Sequence, residues 1–153
     1  MDPVFKKLQL KQQDRIWVLH APEDFGSVLL TLPGHVQVQR HSAPGDQIGF
    51  LLAFAENAET LGTIASEVGP ALEGDAPCWV AYPKKSSKKY RCDFDRDRGW
   101  EVFGPYGLER VSQVAIDEDW SAMRLRKVAY IPKMTRSFPK LTGRVDSSLP
   151  GAE

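Results

Sequence analysis

The chain has 153 residues, 42% of them hydrophobic, with 20 basic residues set against 20 acidic ones. That length suits one domain with a complete core, and electrical neutrality argues against a dedicated nucleic-acid binder. No apolar run approaches the roughly 20 residues that cross a bilayer, so no membrane association is expected.

The opening MDPVFKKLQLKQQ lacks the apolar centre of a secretion signal, which predicts a cytoplasmic protein. Arg15 to Leu19 (RIWVL) reads as a buried strand from its β-branched and aromatic content. Pro22 suits the first position of a helix, where its missing N–H is not needed, and Glu23 and Asp24 favour that helix's positive end. The helix is expected to stop by Pro33-Gly34. Val36 to Arg40 (VQVQR) alternates as a half-exposed strand does. Ile48 to Phe54 (IGFLLAF) is apolar throughout, the pattern of a central strand covered on both faces. Asn57 is a natural N-cap for the next helix. On that helix Leu61, Ile64, Ala65, Val68 and Leu72 form one apolar stripe, which Gly69-Pro70 interrupts.

Cys78 to Tyr82 is another buried strand. Cys78 and Cys92 are the only cysteines, and without a CxxC spacing both are read as free thiols, not as zinc ligands or a disulfide. A basic loop, KKSSKKYRCDFDRDRGW, follows the strand, and Gly99 to Tyr106 reads as a short helix closed by Gly104-Pro105 and Gly107. Val111 to Ile116 and Ala122 to Ile131 are strands joined by the tight connection Asp117 to Ser121, hence antiparallel. On the second of them the apolar phase runs Met123, Leu125, then Val128, Tyr130, a slip that predicts a bulge near Lys127. From Pro132 onward periodicity is lost. The expected organisation is one Rossmann-like domain over residues 1–131 and a flexible basic tail over 132–153.

Strands alternating with helices predict an α/β, Rossmann-like three-layer sandwich with right-handed crossovers. The expected sheet has six strands, mostly parallel, in the order 2-1-3-4-6-5, with a terminal antiparallel hairpin in which strand 6 is reversed. Ligands of such sheets gather at the carboxyl ends of the strands, where the winding direction changes. That edge collects His20-Ala21-Pro22, Glu56-Asn57, Pro83-Lys84-Lys85 and Asp117 to Trp120.

Neutrality hides a polarity along the chain. Glu23 to Asp75 holds eight acidic residues and one basic residue, Arg40, whereas Lys84 to Arg98 holds seven basic and three acidic residues. Lys84, Lys85, Lys88, Lys89 and Arg91, with the hydroxyls of Ser86 and Ser87, could neutralise an anion. The competing reading is a solvated loop whose lysines pair with Asp93, Asp95 and Asp97. Lys84 to Arg98 lacks the glycines that make a backbone cradle, so the segment is not a P-loop. Three consecutive acids, Asp117, Glu118 and Asp119, point in different directions and are read as counter-charges for Lys84 or Lys85, not as a metal site. Trp120 is expected to pack as a lid on the core, with ligand stacking as the alternative, and Arg124 to lie over its ring. His20 is the histidine placed for acid–base work.

The stretches KKLQLKQQDRIWVLHAP, CWVAYPKKSSK and GLERVSQVAIDEDWSAMRLRKV together resemble a family of small bacterial proteins known only as a domain of unknown function. The resemblance runs to about Ile131 and implies no activity. The arrangement also resembles a shrunken methyltransferase-type Rossmann fold, whose sheet ends in a similar reversed hairpin. Two departures count against that fold's cofactor. Its glycine-rich turn after strand 1 is replaced by His20-Ala21-Pro22, and its acidic ribose ligand after strand 2 by Arg40-His41. No cofactor is therefore expected.

The residues expected to line an anion site are His20, Asn57, Lys84, Lys85, Asp117, Trp120, Ser121 and Arg124; no catalytic residue is assigned. The leading expectation is a non-enzymatic binding or interaction module whose partner is a small anionic ligand or a protein. The alternatives are a Rossmann-type nucleotide- or phosphate-ligand enzyme related to methyltransferases and, behind it, a weak nucleic-acid binder using Tyr90, Phe94 and Trp100 beside the lysines.

Overall fold

The computed structural model describes residues 1–132 and 138–142. A short helix α1 (Val4–Lys7) precedes strand β1 (Arg15–Leu19). A single 3-10 turn (Glu23–Phe25) then runs into α2 (Gly26–Leu29). The expected helix after Pro22 is therefore two short pieces, with Pro22 in an extended conformation just ahead of them. β2 (Gln37–Gln39) is shorter than its alternation suggested. β3 (Leu51–Phe54) starts late in its apolar run: Ile48 makes an isolated parallel bridge to Leu72, and the chain bends before the ladder begins. The remaining elements are α3 (Ala58–Val68), β4 (Cys78–Pro83), a 3-10 helix (Trp100–Tyr106), β5 (Leu108–Ala115) and β6 (Trp120–Lys127).

The strands form one six-stranded sheet in the order β2-β1-β3-β4-β6-β5. β2, β1, β3 and β4 are mutually parallel, and β6 runs antiparallel to both β4 and β5. Every residue of β3 and β4 is buried, so their side chains alternate between two cores. On one face Leu51, Ala53, Val80, Tyr82, Met123 and Leu125 pack with Leu61, Ile64, Ala65 and Val68 of α3 and with Trp100 and Phe103. On the other, Leu52, Phe54, Trp79, Ala81 and Ala122 pack with Phe5, Leu8 and Phe25. Trp79 also donates its indole N–H to the Leu8 carbonyl at 2.7 Å, tying the N-terminal segment beneath the sheet.

α3 begins at Asn57, whose side chain caps the helix, and stops where Gly69 lets the chain pass Tyr106. A Cβ at Gly69 would stand 2.4 Å from that ring, so the glycine is required by close approach. The expected bulge near Lys127 lies elsewhere in the same ladder. Register shifts between Arg110 and Ser112 of β5, leaving Val111 as the extra residue, while the phase change at Val128 marks the end of β6 and the start of a 3-10 turn (Val128–Tyr130).

A domain boundary after Ile131 leaves out a segment that packs on the sheet. Phe138 and Leu141 are buried within the first core. The buried Glu109 carboxylate accepts the Leu141 N–H at 2.6 Å and also takes hydrogen bonds from the N–H and hydroxyl of Thr142. Arg110 donates to the Pro139 carbonyl at 3.1 Å and lies with Arg96 against the Phe138 ring. The lack of periodicity after Pro132 concealed two anchors spaced too far apart to read as an element. The rest of the expected tail lies outside the described residues.

Truncation after Ile131 should therefore lower stability by about 3 kcal/mol or more, from the lost burial of two large side chains alone. It also strips Glu109 of its donors. A thermal or urea midpoint indistinguishable from that of the full chain would show that the segment contributes nothing to the fold. Gly69→Ala should likewise cost about 1–3 kcal/mol through overpacking against Tyr106.

Candidate functional site

At the carboxyl end of β1 the chain turns on His20, whose φ of 59° lies in the left-handed region. β3 hands over through Ala55 and Glu56 to the Asn57 cap of α3. β2 and β3 lie on opposite sides of β1, so the winding direction reverses between β1 and β3. A crevice of about 230 Å³ opens there, lined by His20, Phe54, Glu56, Asn57 and Thr60. This is where open α/β sheets hold their ligands. Asn57, expected as an anion ligand, is committed to its own helix: its Oδ1 accepts the Thr60 N–H at 2.7 Å. The Ala58 N–H donates to Asp93 Oδ1 at 2.7 Å, so a carboxylate from the loop after β4 already covers the positive end of α3.

The carboxyl end of β4 does meet the acidic turn before β6, as the topology demanded, but not through the expected ion pairs. The Lys84 N–H donates to the Asp119 carbonyl at 2.8 Å, and Ser87 Oγ donates to Asp119 Oδ1 at 2.8 Å. Asp117 Oδ1 accepts the N–H groups of Asp119 and Trp120, both at 2.8 Å, which closes the turn on itself. The lysines reach other partners: Lys85 pairs with Asp95 at 3.6 Å and Lys89 with Asp24 at 3.1 Å. A serine hydroxyl and a backbone amide hold this edge at short range, where long solvated lysines would have gained little.

Two further residues leave the expected site. Trp120 is 3% exposed, with its ring edge-on to Phe54 at 5.0 Å and tilted against Tyr90 at 4.9 Å. It is a core residue under Tyr90 and has no face for a ligand. Arg124 lies about 13 Å further along β6, at roughly 3.3 Å per residue, which is too far for a contact with Trp120. Its guanidinium donates to the Gln9 side chain instead.

Lys84, Lys85 and Ser121 are brought together around a second cavity of about 280 Å³. Tyr82, Pro83 and Gln113 complete its walls, and residues 95–97 border it. Tyr82 donates its hydroxyl to Gln113 Oε1, and burial pushes that hydroxyl up to about 12, so it stays a neutral donor. Tyr82 and Gln113 escaped the sequence reading because strand residues opposite one another across β6 carry no shared pattern in the chain. Neither cysteine is a ready nucleophile: burial pushes Cys78 up to about 12 and raises Cys92.

No family model matches the sequence, and no curated protein matches it; the resemblance to the small bacterial family gains no support there. Solved structures do match in fold. A SAM-dependent methyltransferase from Aquifex aeolicus aligns at a TM-score of 0.54 and 11% identity, over 82% of this chain and 88% of that one. Fibrillarin from Methanococcus jannaschii, a pre-rRNA processing protein, aligns at 0.47 and 9% identity, over 76% and 67%. LepI, solved in complex with SAM, aligns at 0.47 and 15% identity over 81% of this chain, which spans only 39% of LepI. The architecture is thus the methyltransferase-like Rossmann fold. This corrects the expectation of a non-enzymatic binding or interaction module: the fold match is to a methyltransferase, an enzyme, and favours the alternative reading.

The loop 84–99 lines the second cavity, and Asp95 is its fastening point. The Asp97 N–H on Oδ1, with the Arg98 guanidinium beside it, holds the Asp95 carboxyl below the usual carboxylate range. A lowered folded value means that the carboxylate's stabilisation is complete above the ordinary value near pH ~4 and is lost as pH falls through the folded one. The indole of Trp100 donates to the Asp95 carbonyl at 2.7 Å and reports on this loop. Its NMR resonance should hold steady from neutral pH to about pH 5 and shift below it. Asp95→Asn should produce the acid-like resonance at neutral pH; a variant spectrum matching the parent's would show that Asp95 does not fasten the loop.

Proposed function

We propose that this chain is an enzyme domain related to the methyltransferases that binds a nucleotide in the crevice between β1 and β3. The observation that carries the reading is the coincidence of the sheet's reversal point with a crevice holding His20 and Glu56. Glu56 disfavours a bare phosphate there but can accept the hydroxyls of a ribose. Arg40 follows β2 on the same carboxyl edge, one strand beyond β1, and supplies a cation for a phosphate group, with the His41 imidazole next to it in the chain. His20, exposed at the crevice mouth, is the imidazole placed to hydrogen-bond the bound ligand.

The cofactor of the methyltransferases does not fit this edge. His20 stands, with a side chain, where backbone N–H groups would need to approach the ligand, and Pro22 has no N–H to offer. Only one 3-10 turn and one α-helical turn follow β1, so no long helix aims its positive end at the crevice. Arg40 stands where a carboxylate would hold the ribose of adenosylmethionine. The reading includes a cytoplasmic location and kinship with the small bacterial family, both of which rest on the sequence.

Titration of the full-length protein with AMP, adenosine and SAM, followed by calorimetry and amide NMR, tests this. AMP should bind saturably and shift the amides of residue 20 and residues 56–60, and adenosine should bind more weakly. SAM should show no saturable binding. His20→Ala and Glu56→Ala should each weaken AMP about tenfold, the loss expected for a hydrogen bond to a charged group. Stoichiometric SAM binding at micromolar concentration, or no AMP response at these amides, would overturn the reading.

A further inference from the structure

The second cavity lies on the Tyr82–Met123 face of the sheet, under the loop 84–99, and takes no part in the nucleotide reading. Antiparallel pairing sets Tyr82 opposite Ser121 and Pro83 opposite Trp120. The Lys84 N–H on the Asp119 carbonyl extends that ladder by one step, which sets Lys84 opposite Asp119 and diagonal to Ser121. Ser121 is 8% exposed, and its hydroxyl has no partner among the described residues. Lys84 is partly buried, and its ammonium has no carboxylate partner among the described residues. Gln113 has its Oε1 taken by the Tyr82 hydroxyl, which leaves its Nε2 as a donor.

Charge around the cavity is nearly balanced. Lys85 is paired with Asp95 at 3.6 Å and Arg96 with Asp97 at 2.9 Å, so Lys84 is left as the excess charge among the lining residues. A single uncompensated cation suits a single negative charge. A phosphate dianion would bring its second charge close to Asp95 and Asp97, and like charges at that range repel. Tyr82 and Pro83 line the same space and bring apolar atoms to it. A cavity of about 280 Å³ holds a small molecule and little more.

We propose that this cavity is a binding site for a small monocarboxylate with an apolar body. The carboxylate is held by the Lys84 ammonium, Ser121 Oγ and Gln113 Nε2, and the body lies against Tyr82 and Pro83. These three donors line one cavity, and its two carboxylates, Asp95 and Asp97, are each paired with a cation. That donor set matches an ionised carboxyl and mismatches its amide, which would bring donors of its own.

The test is a titration of the ¹⁵N-labelled full-length chain with benzoate, benzamide, acetate and inorganic phosphate, read at the amides of Lys84, Gln113 and Ser121. Benzoate should shift these amides saturably, acetate should bind about tenfold more weakly for want of the apolar body, and benzamide and phosphate should leave them unmoved. Lys84→Gln and Ser121→Ala should each reduce benzoate affinity about tenfold while the rest of the spectrum is retained. Equal binding of benzoate and benzamide would reduce the cavity to an apolar crevice without carboxylate recognition and overturn the proposal. So would phosphate shifts at the same amides, or benzoate shifts located elsewhere. The benzoate–benzamide comparison on the parent protein decides the matter even if a variant fails to fold.

Discussion

Strands β3 and β4 have no solvent-facing side, and most of the architecture follows from covering them twice. A strand buried on both faces can only be joined to a parallel neighbour by a crossover that lies on one of those faces, so α3 is committed to the sheet by its apolar stripe. The N-terminal helix, the short pieces after β1 and the aromatic run from Phe25 through Phe54 and Trp120 to Tyr90 cover the other face. Parallel pairing then sends the ends of β1, β2, β3 and β4 to one edge. The candidate sites lie at that edge, on the residues that follow β1, β3 and β4.

What distinguishes this edge is the loop 84–99, a long connection without regular structure that is held by small polar groups. Ser87 and the Lys84 amide fasten its start to Asp119, Asp93 fastens its middle to α3, and Asp95 with Trp100 fastens its end. Each fastening is a short hydrogen bond, all but Ser87 Oγ–Asp119 Oδ1 involving backbone, and the lysines that dominate its composition contribute peripheral pairs. The crevice at the sheet's reversal point and the cavity that this loop lines share no residue and differ in chemistry. One holds an imidazole and a carboxylate at the sheet's reversal point, and the other holds donors around an apolar wall.

A methyltransferase-type sheet without the methyltransferase turn leaves the ligand edge in place and changes what it can accept. Pro22, His20 and Arg40 alter the approach to the crevice while leaving the strands that frame it undisturbed, because all three lie beyond the ends of β1 and β2. Fold and ligand chemistry are separable here for a physical reason: the strands are specified by burial, and the edge residues carry no packing duty. Function in such a chain is a property of a handful of exposed side chains on an otherwise ordinary frame.

Burial pattern along the chain was sufficient for the sheet order, the reversed hairpin and the placement of His20, Asn57, Lys84 and Asp117 on one edge, since apolar runs and turn chemistry are local signals. Asn57 illustrates where local signals stop: the cap was legible, but a capping oxygen turned into its helix is no longer a ligand. The partners of Lys85 and Asp119, the burial of Trp120 and the distance of Arg124 from it depended on register and loop path, which few neighbouring residues encode. Phe138 and Leu141 went unread because their value lies in the core they share with Trp100 and Phe103 and in the bond to Glu109, 32 residues before Leu141 in sequence. The grouping of Tyr82, Gln113, Lys84 and Ser121 belongs to the same class. Three strands contribute to it, and only antiparallel pairing through β6, with its extra residue at Val111, decides which side chains stand together.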